Sequence, residues 1–372
     1  MTTFAFAPAA RQWLFEAALP LWSSAGLDRD AGGFVERLDV TGAPIREIRR
    51  LRVTARQVYV FGAARRLGWT GPCEAAIAHG MVHLRRVGLD ADGLLHARID
   101  LDGRIVTPGP DLYDQAFWLL ALSEEARVFD AAASEREALA VLDAMNRRMR
   151  HPARGYEESD RRILPLRSNP HMHLLEAAMS WVAVGRSDRW RALGDAIVDL
   201  CLERFRDPES GALLEYFDGD WMPTRDPERD VVEPGHLFEW SWLLWRWGET
   251  TGRDCRSVAL GFADLARRHG VDPDRGVAID GLDTRLRPRA RGARLWPQTE
   301  RMKAAVAHLA MTGDTATAER EATAAWGALR RYFDAAVPGS WVDRMGEDGE
   351  MIVEPAPASS LYHIVCALTE AM

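Results

Sequence analysis

Turns rich in aspartate and glycine recur along this chain. They read Asp28-Arg-Asp-Ala-Gly-Gly33, Asp90-Ala-Asp-Gly93, His151-Pro-Ala-Arg-Gly155, Asp207-Pro-Glu-Ser-Gly211, Asp272-Pro-Asp-Arg-Gly276 and Gly346-Glu-Asp-Gly349. Their final glycines stand 60, 62, 56, 65 and 73 residues apart. Each supplies the positive-φ residue that a tight reversal needs. A second mark keeps the same period: Pro110, Pro170, Pro234, Pro297 and Pro357, spaced by 60, 64, 63 and 60 residues, each open an apolar helical pattern. Proline suits the first turn of a helix, where its missing N–H is no loss. An earlier counterpart without proline begins near Thr54. Such a period means a fold assembled from one repeated supersecondary unit.

Two kinds of helical pattern lie between the marks. Segments near 53–67, 111–128, 170–184, 234–248, 297–311 and 357–371 are apolar on most sides, as in Phe238-Glu-Trp-Ser-Trp-Leu-Leu-Trp245, and are expected to be buried. Segments near 9–25, 72–88, 134–149, 188–204, 254–269 and 315–335 carry charge on one face and are expected outside them. Short turns such as Gly185–Asp188 and Gly252–Asp254 join inner to outer. Six such units make an all-α fold, an (α/α)6 barrel of six inner and six outer helices. A linear solenoid would want polar capping repeats, whereas the last segment, Leu361-Tyr-His-Ile-Val-Cys-Ala-Leu368, is as apolar as any inner one. Closure is therefore expected. No linker is legible, so residues 1–372 are expected to form a single domain.

Composition narrows the function classes. The 372 residues are 47% hydrophobic and 27% charged, which excludes a largely disordered chain, and the formal charge of −8 argues against a nucleic-acid binder. No apolar run reaches the roughly 18 residues of a membrane span, and the Met1–Pro8 segment lacks the basic and apolar regions of a signal peptide. Four scattered cysteines, Cys73, Cys201, Cys255 and Cys366, form no CxxC pair. A disulfide framework and a zinc ribbon are thus not expected, and a cytoplasmic location is. Among 47 lysines and arginines, Lys303 is the sole lysine.

In a closed barrel every inner helix begins at the same end, so the polar residues at those starts converge on one mouth. In order they are Arg52 and Arg56; Asp111-Leu-Tyr113-Asp114; Asn169-Pro-His171-Met-His173-Leu-Leu-Glu176; Glu233-Pro-Gly-His236-Leu-Phe-Glu239; Trp296-Pro-Gln298-Thr-Glu300-Arg-Met-Lys303; and Ser359-Ser-Leu-Tyr362-His363. His173 with Glu176 and His236 with Glu239 share one helical face at i, i+3. That spacing suits a metal site or a glutamate orienting its histidine. Only two copies occur, in the reverse order of the di-iron pattern, and no metal is expected. His79, His83, His269 and His308 fall on outer or late-helix positions, and His96 and His151 in hairpins. Trp240, Trp242, Trp245 and Trp247 suit a core, whereas Trp296 suits packing on a sugar face. The arginine-dense stretch Arg285–Arg294 reads as a solvated loop or a rim for an anion.

This chemistry fits proton shuffling. A histidine at a helix N-terminus is expected to be held neutral, as a base, by the helix dipole. Two bases across a pocket can take a proton from one carbon and return it to another beside a carbonyl, and Arg56 can stabilise the enediolate. No nucleophile motif, dinucleotide fingerprint or phosphate loop is present.

The blocks Asp111-Leu-Tyr-Asp-Gln-Ala-Phe117, Asn169-Pro-His-Met-His-Leu-Leu-Glu-Ala177, Glu233-Pro-Gly-His-Leu-Phe-Glu-Trp240, Arg294-Leu-Trp-Pro-Gln-Thr-Glu300 and Ser359-Ser-Leu-Tyr-His363 resemble, in order and spacing, the signatures of the N-acylglucosamine 2-epimerase superfamily. The D-mannose isomerases and their sulfoquinovose-isomerase relatives are the nearest in pattern. The resemblance covers essentially the whole chain. It implies an (α/α)6 barrel and a cofactor-independent interconversion of sugars at C1 and C2 through a cis-enediol. It implies His236 and His363 as the acid/base pair, and His173 assisting ring opening or holding the substrate. Arg56, Tyr113, Asn169, Glu239, Trp296 and Gln298 would line the sugar pocket; Arg52 could share the role of Arg56. Cellobiose 2-epimerases carry a tryptophan before the last histidine, where Ala358-Ser-Ser360 stands here. N-acylglucosamine epimerases place an arginine after it, where Ile364-Val-Cys366 stands. Both departures imply a free monosaccharide substrate, D-mannose converted to D-fructose. The alternatives are a sugar 2-epimerase, acting on mannose and glucose or on N-acylglucosamine, and a glycoside-processing enzyme built on Asp111, Asp114 and Glu239. The expected partner is the sugar alone, with no nucleic acid and no membrane, and the chain a monomer or homodimer.

Overall fold

The computed structural model describes residues 4–224 and 226–372. Its helices alternate between an outer and an inner ring. The outer ones are α1 (7–24, with a π turn at Leu14–Ala18), α3 (Cys73–Val87), α5 (Ala131–Arg148), α7 (Arg189–Leu200, continued by a π turn at Cys201–Phe205), α9 (Arg256–Gly270) and α11 (Thr315–Tyr332). The inner ones are α2 (Leu51–Arg66), α4 (Leu112–Val128), α6 (Ser168–Val184), α8 (Pro234–Thr251), α10 (Leu295–Thr312) and α12 (Ala358–Ala371). Each inner helix packs on the next, and α12 packs on both α10 and α2, so the ring is closed. The fold is the expected (α/α)6 barrel. The twelve helices begin and end within a few residues of the expected segments.

The local chemistry explains the punctuation. The expected turn glycines, Gly33, Gly93, Gly155, Gly211, Gly276 and Gly349, have φ between 63° and 86°, a region in which a side chain is strained. Asp111, Asp130 and Asp314 cap helix starts by accepting the N–H of Tyr113, Ala133 and Thr317, each contributing about 1 kcal/mol. Gly252 and Gly313 close α8 and α10 in the left-handed conformation. Gly185 does not follow them. Its backbone is extended, and a carboxylate from the neighbouring outer helix, Glu135, accepts the N–H groups of Arg186 and Ser187 instead.

The hairpins carry short strands: β1 (Arg37–Leu38), β2 (Arg49–Arg50), β3 (His96–Ile99), β4 (Ile105–Pro110), β5 (Leu166–Arg167), β6 (Tyr216–Phe217), β7 (Gly281–Leu282), β8 (Pro288–Ala290), β9 (Ala293–Arg294), β10 (Arg344–Met345), β11 (Met351–Ile352) and β12 (Ala356–Pro357). All pair antiparallel, some within a hairpin, as β3 with β4 and β7 with β8, and others across neighbouring units, Arg167 opposite Tyr216 and Arg294 opposite Arg344; β1 with β12 joins the two ends of the chain at Arg37 opposite Pro357. The strands β2, β5, β9 and β12 run directly into α2, α6, α10 and α12. The inner helices therefore all start at the hairpin end.

Two repeated devices fix those starts. A polar side chain in the first turn or so of an inner helix grips the hairpin backbone just after its glycine turn: Gln115 holds Leu95 through both N–H and C=O, Gln298 holds Ala278 likewise, and His171 accepts the N–H of Tyr156. At four of the six hairpins an acid three or four residues beyond the glycine accepts the N–H of the residue just before the helix: Glu36 from Arg50, Glu158 from Arg167, Asp280 from Arg294 and Glu215 from Glu233. No described helix is long and apolar enough to cross a membrane.

Candidate active site

At the hairpin end a cavity of about 230 Å³ opens between the inner helices. It is small beside the roughly 300–1,000 Å³ of sites for drug-sized ligands. All six inner helices reach it. Arg56 comes from α2, Tyr113 from α4, Asn169 and His173 from α6, His236 and Glu239 from α8, Trp296 from the start of α10, and Ser359, Ser360 and His363 from α12; Glu233, Arg294 and Asp343 complete the rim. A wider hollow of about 740 Å³ lies outside the ring between α1 and α11, beside Trp13 and Trp326, with no histidine in its lining.

His236 and His363 differ in their electrostatic surroundings. Nδ1 of His236 lies 3.0 Å from Glu215 Oε1, and Nε2 lies 3.1 Å from the side-chain amide of Asn169. Burial disfavours the charged ring, but Glu215, Glu233 and Glu239 around it outweigh burial and push its pKa up to about 9. The helix dipole favours the neutral ring, and the acids around it, Glu215 first, act against it. These surroundings favour the charged form of the His236 ring. His363 goes the other way: burial, Arg56 and Lys303 hold its pKa well below the ordinary histidine value. Its Nδ1 lies 2.9 Å from Glu300 Oε1, so the neutral ring carries its proton there and leaves Nε2 as the base. The indole of Trp296 lies beside both rings, with centroids 5.1 Å from His236 and 5.6 Å from His363.

His173 is buried and neutral, its pKa pushed down to about 3 by burial. It stands edge-on to Tyr113, 4.9 Å between centroids, with Nδ1 at 3.4 Å from Glu176. Arg56 donates to the Tyr113 hydroxyl at 2.6 Å and stacks 4.2 Å over Phe117. Of the two arginines lining the cavity, Arg294 is tied to Glu233 and Asp280, while Arg56 has no carboxylate partner among the described residues. Arg52 is paired with Asp114 at 2.9 Å, which leaves Arg56 as the free cation of the pair.

Glu239 is shifted toward its protonated form. Burial and the neighbouring Glu300 push it up to about 8, and neither of its oxygens has a hydrogen-bond partner. Asp343 is lifted to about 6 by burial and accepts from Ser360 at 2.6 Å. Two sets of three, His173 with Glu176 and Glu239, and Glu239 with Glu300 and His363, bring one ligand-type atom each within 4.8 Å of one another. That spacing would suit a cation, and the ammonium of Lys303 already stands 2.5 Å from Glu300 and 3.8 Å from Glu239.

Gln298 corrects the expected lining. It is fully buried, and its amide is spent on the backbone of Ala278 and Arg294; it positions the hairpin and does not face the cavity. Asp111 caps α4, and Asp114 lies under Arg52, so neither lines the cavity and a two-carboxylate glycosidase site is not assembled from them. His171 serves its hairpin. In the Arg285–Arg294 stretch, Arg287 pairs with Asp283, Arg289 donates to carbonyls of the preceding hairpin, and Arg294 pairs with Glu233 and Asp280. Glu215 and Glu300 were not singled out as partners of the histidines. The acid that follows four of the six hairpin glycines is the signal that finds Glu215. Its register slips toward His236, leaving the backbone bond to Glu233 at 3.5 Å. Glu300 faces His363 from the neighbouring inner helix, 63 residues away in the chain.

A model of the family described as N-acylglucosamine 2-epimerase (GlcNAc 2-epimerase) matches residues 32–367. A protein of Rhizobium meliloti (strain 1021) named mannose-6-phosphate isomerase is 44% identical over 96% of this chain and 94% of its own. A D-mannose isomerase of Pseudomonas cannabina pv. alisalensis is 26% identical over 96% of this chain and 91% of its own. A solved structure of a D-mannose isomerase superposes with a TM-score of 0.90 at 20% identity, over 100% of this chain and 99% of that one. The chain belongs to the N-acylglucosamine 2-epimerase family and is an isomerase or epimerase of sugars.

Proposed function

We propose that this single-domain enzyme interconverts D-mannose and D-fructose, as free monosaccharides, through a cis-enediol and with no cofactor. The observation that carries the reading is the placement of His236 and His363 on one small cavity, each with a carboxylate at Nδ1, in surroundings that favour the charged ring for the first and the neutral ring for the second. Nε2 of neutral His363 takes the proton from C2 of the open-chain aldose while the imidazolium of His236 gives a proton to O1. In the second half, His236 takes the O2 proton and His363 returns its proton to C1. Each histidine ends in the state it began in. The negative charge that develops on the enediolate lies in reach of Arg56, the lining arginine with no carboxylate of its own. Donors of this kind are worth about 10²–10³ in rate. His173 and the acid Glu239 hold the sugar and assist ring opening, with Tyr113, Asn169 and Trp296 completing the walls.

A 6-phosphate substrate is the second reading, favoured by the name of the relative 44% identical to this chain. Against it stand the acids Glu233 and Asp343 in the lining and the pairing of Arg294, which leave the lining no free cation beyond Arg56 among the described residues. Incubation with mannose, glucose, fructose and mannose 6-phosphate, followed by sugar chromatography, tests both. Mannose and fructose should interconvert. Turnover of the phosphate ester alone would establish the second reading, and conversion of mannose to glucose would make the enzyme an epimerase.

A further inference from the structure

Beneath the cavity floor lies a charged group that the scheme above leaves without a task. Lys303 is the chain's sole lysine and is fully buried on α10, one turn beyond Glu300. Its Nζ stands 2.5 Å from Glu300 Oε2, 3.8 Å from Glu239 Oε1 and 3.9 Å over the ring of Trp242. It meets Glu300 as a charge rather than through an aligned hydrogen bond. The other Glu300 oxygen holds Nδ1 of His363 at 2.9 Å. One carboxylate thus bridges the ammonium and the base. Leaving three glutamates, Glu176, Glu239 and Glu300, in the middle of a barrel would cost far more than a surface acid does, because a buried charge needs an opposite charge or a proton.

We propose that Lys303 is a positioning residue for catalysis: a built-in cation under the site that keeps Glu300 ionised, so that Glu300 fixes the proton on Nδ1 of His363 and leaves Nε2 as the base. This rests on the assignment of His363 as the base. The ammonium stands where the two carboxylate–histidine groups would otherwise suit a metal ion, and it does the same electrostatic work for them. It acts on His363 in two ways. Its charge repels a second proton on the ring, as does that of Arg56 from α2. It also secures the acceptor that holds the first. The other titratable groups packed around His363 are His173 and Glu176 on α6, His236 and Glu239 on α8, and Tyr362 on α12. None of these contacts Glu300 on the oxygen that Lys303 faces.

The test compares wild type with Lys303→Met, Glu300→Gln and the double variant, by turnover and by the imidazole NMR signal of His363, assigned from its loss in His363→Asn. The NMR arm needs no substrate, so failure of the sugar assignment would leave it readable. In wild type the His363 ring should stay neutral to the lowest pH at which the protein is folded. In Lys303→Met it should take up a proton at higher pH, with kcat down about tenfold or more and KM within about threefold, and the acid limb of kcat/KM moved to higher pH. The double variant, which removes both buried charges and so tolerates folding best, should match Glu300→Gln alone in turnover. An unmoved His363 signal, or a kcat for Lys303→Met within about threefold of wild type, would overturn the proposal. So would a double variant more than about tenfold slower than Glu300→Gln, a comparison that holds even if Lys303→Met does not fold.

Discussion

Nδ1 of His236 sits 3.0 Å from Oε1 of Glu215, joining an inner helix to the hairpin that precedes it. This contact, with Glu233 and Glu239 nearby, raises the pKa of His236 to about 9 against the burial that would lower it. A group raised in the folded state contributes stability that is complete below its unfolded pKa of about 6.5 and is lost as pH rises through the folded value. Glu215→Gln should therefore bring the basic limb of kcat/KM to lower pH. It should also shrink the fall in unfolding free energy that wild type shows between pH 6.5 and 9. The His236 share of that fall is at most roughly 3 kcal/mol. An unchanged basic limb and an unchanged fall in Glu215→Gln would show that His236 is not the charged acid.

Arg56 is held by stacking on Phe117 and by the Tyr113 hydroxyl rather than by an acid. Its charge is thus left for the reaction. Arg56→Gln should lower kcat by about 10²–10³ with a smaller change in KM. An effect confined to KM would make Arg56 a binding residue only.

Gln298 is predicted to behave as a structural residue. Replacing it by alanine strands the buried N–H and C=O of Ala278, each costing about 1–3 kcal/mol when unsatisfied. Thermal or denaturant unfolding should register that loss while KM for the sugar changes little. A raised KM at unchanged stability would return Gln298 to the pocket.

Much of the barrel was legible because its determinants are local and repeated. Gly33 through Gly349 mark reversals that only a positive φ permits, and the apolar surround of α4 and α8 can only be buried. Where a device is made by a neighbouring unit, the sequence is silent. The end of α6 at Gly185 is fixed by Glu135, some fifty residues away. The same limit holds at the site. His173, His236 and His363 announce themselves at helix starts, but their charges are decided by Glu215 from a hairpin and by Glu300 and Lys303 from an adjacent helix. A helix dipole alone favours a neutral His236, and the acids that favour its charged form lie partly outside that helix. Gln298 shares its motif with Trp296 yet points to the hairpin, because neighbouring positions on a helix face different ways.

Exhaustive chelation should leave turnover intact. The ammonium of Lys303 already balances Glu300, and the two histidines with Arg56 supply the acid, the base and the enediolate partner. Loss of activity with EDTA, restored by one divalent ion, would reassign His173 and Glu239 as ligands.

The account stands or falls on proton transfer by His363. D-mannose incubated with the enzyme in D2O and followed by proton NMR tests this most directly. The prediction is that fructose accumulates, that solvent deuterium enters its C1 position over repeated turnovers, and that His363→Asn abolishes both while remaining folded. A His363→Asn variant that is folded and still exchanges and turns over would contradict it.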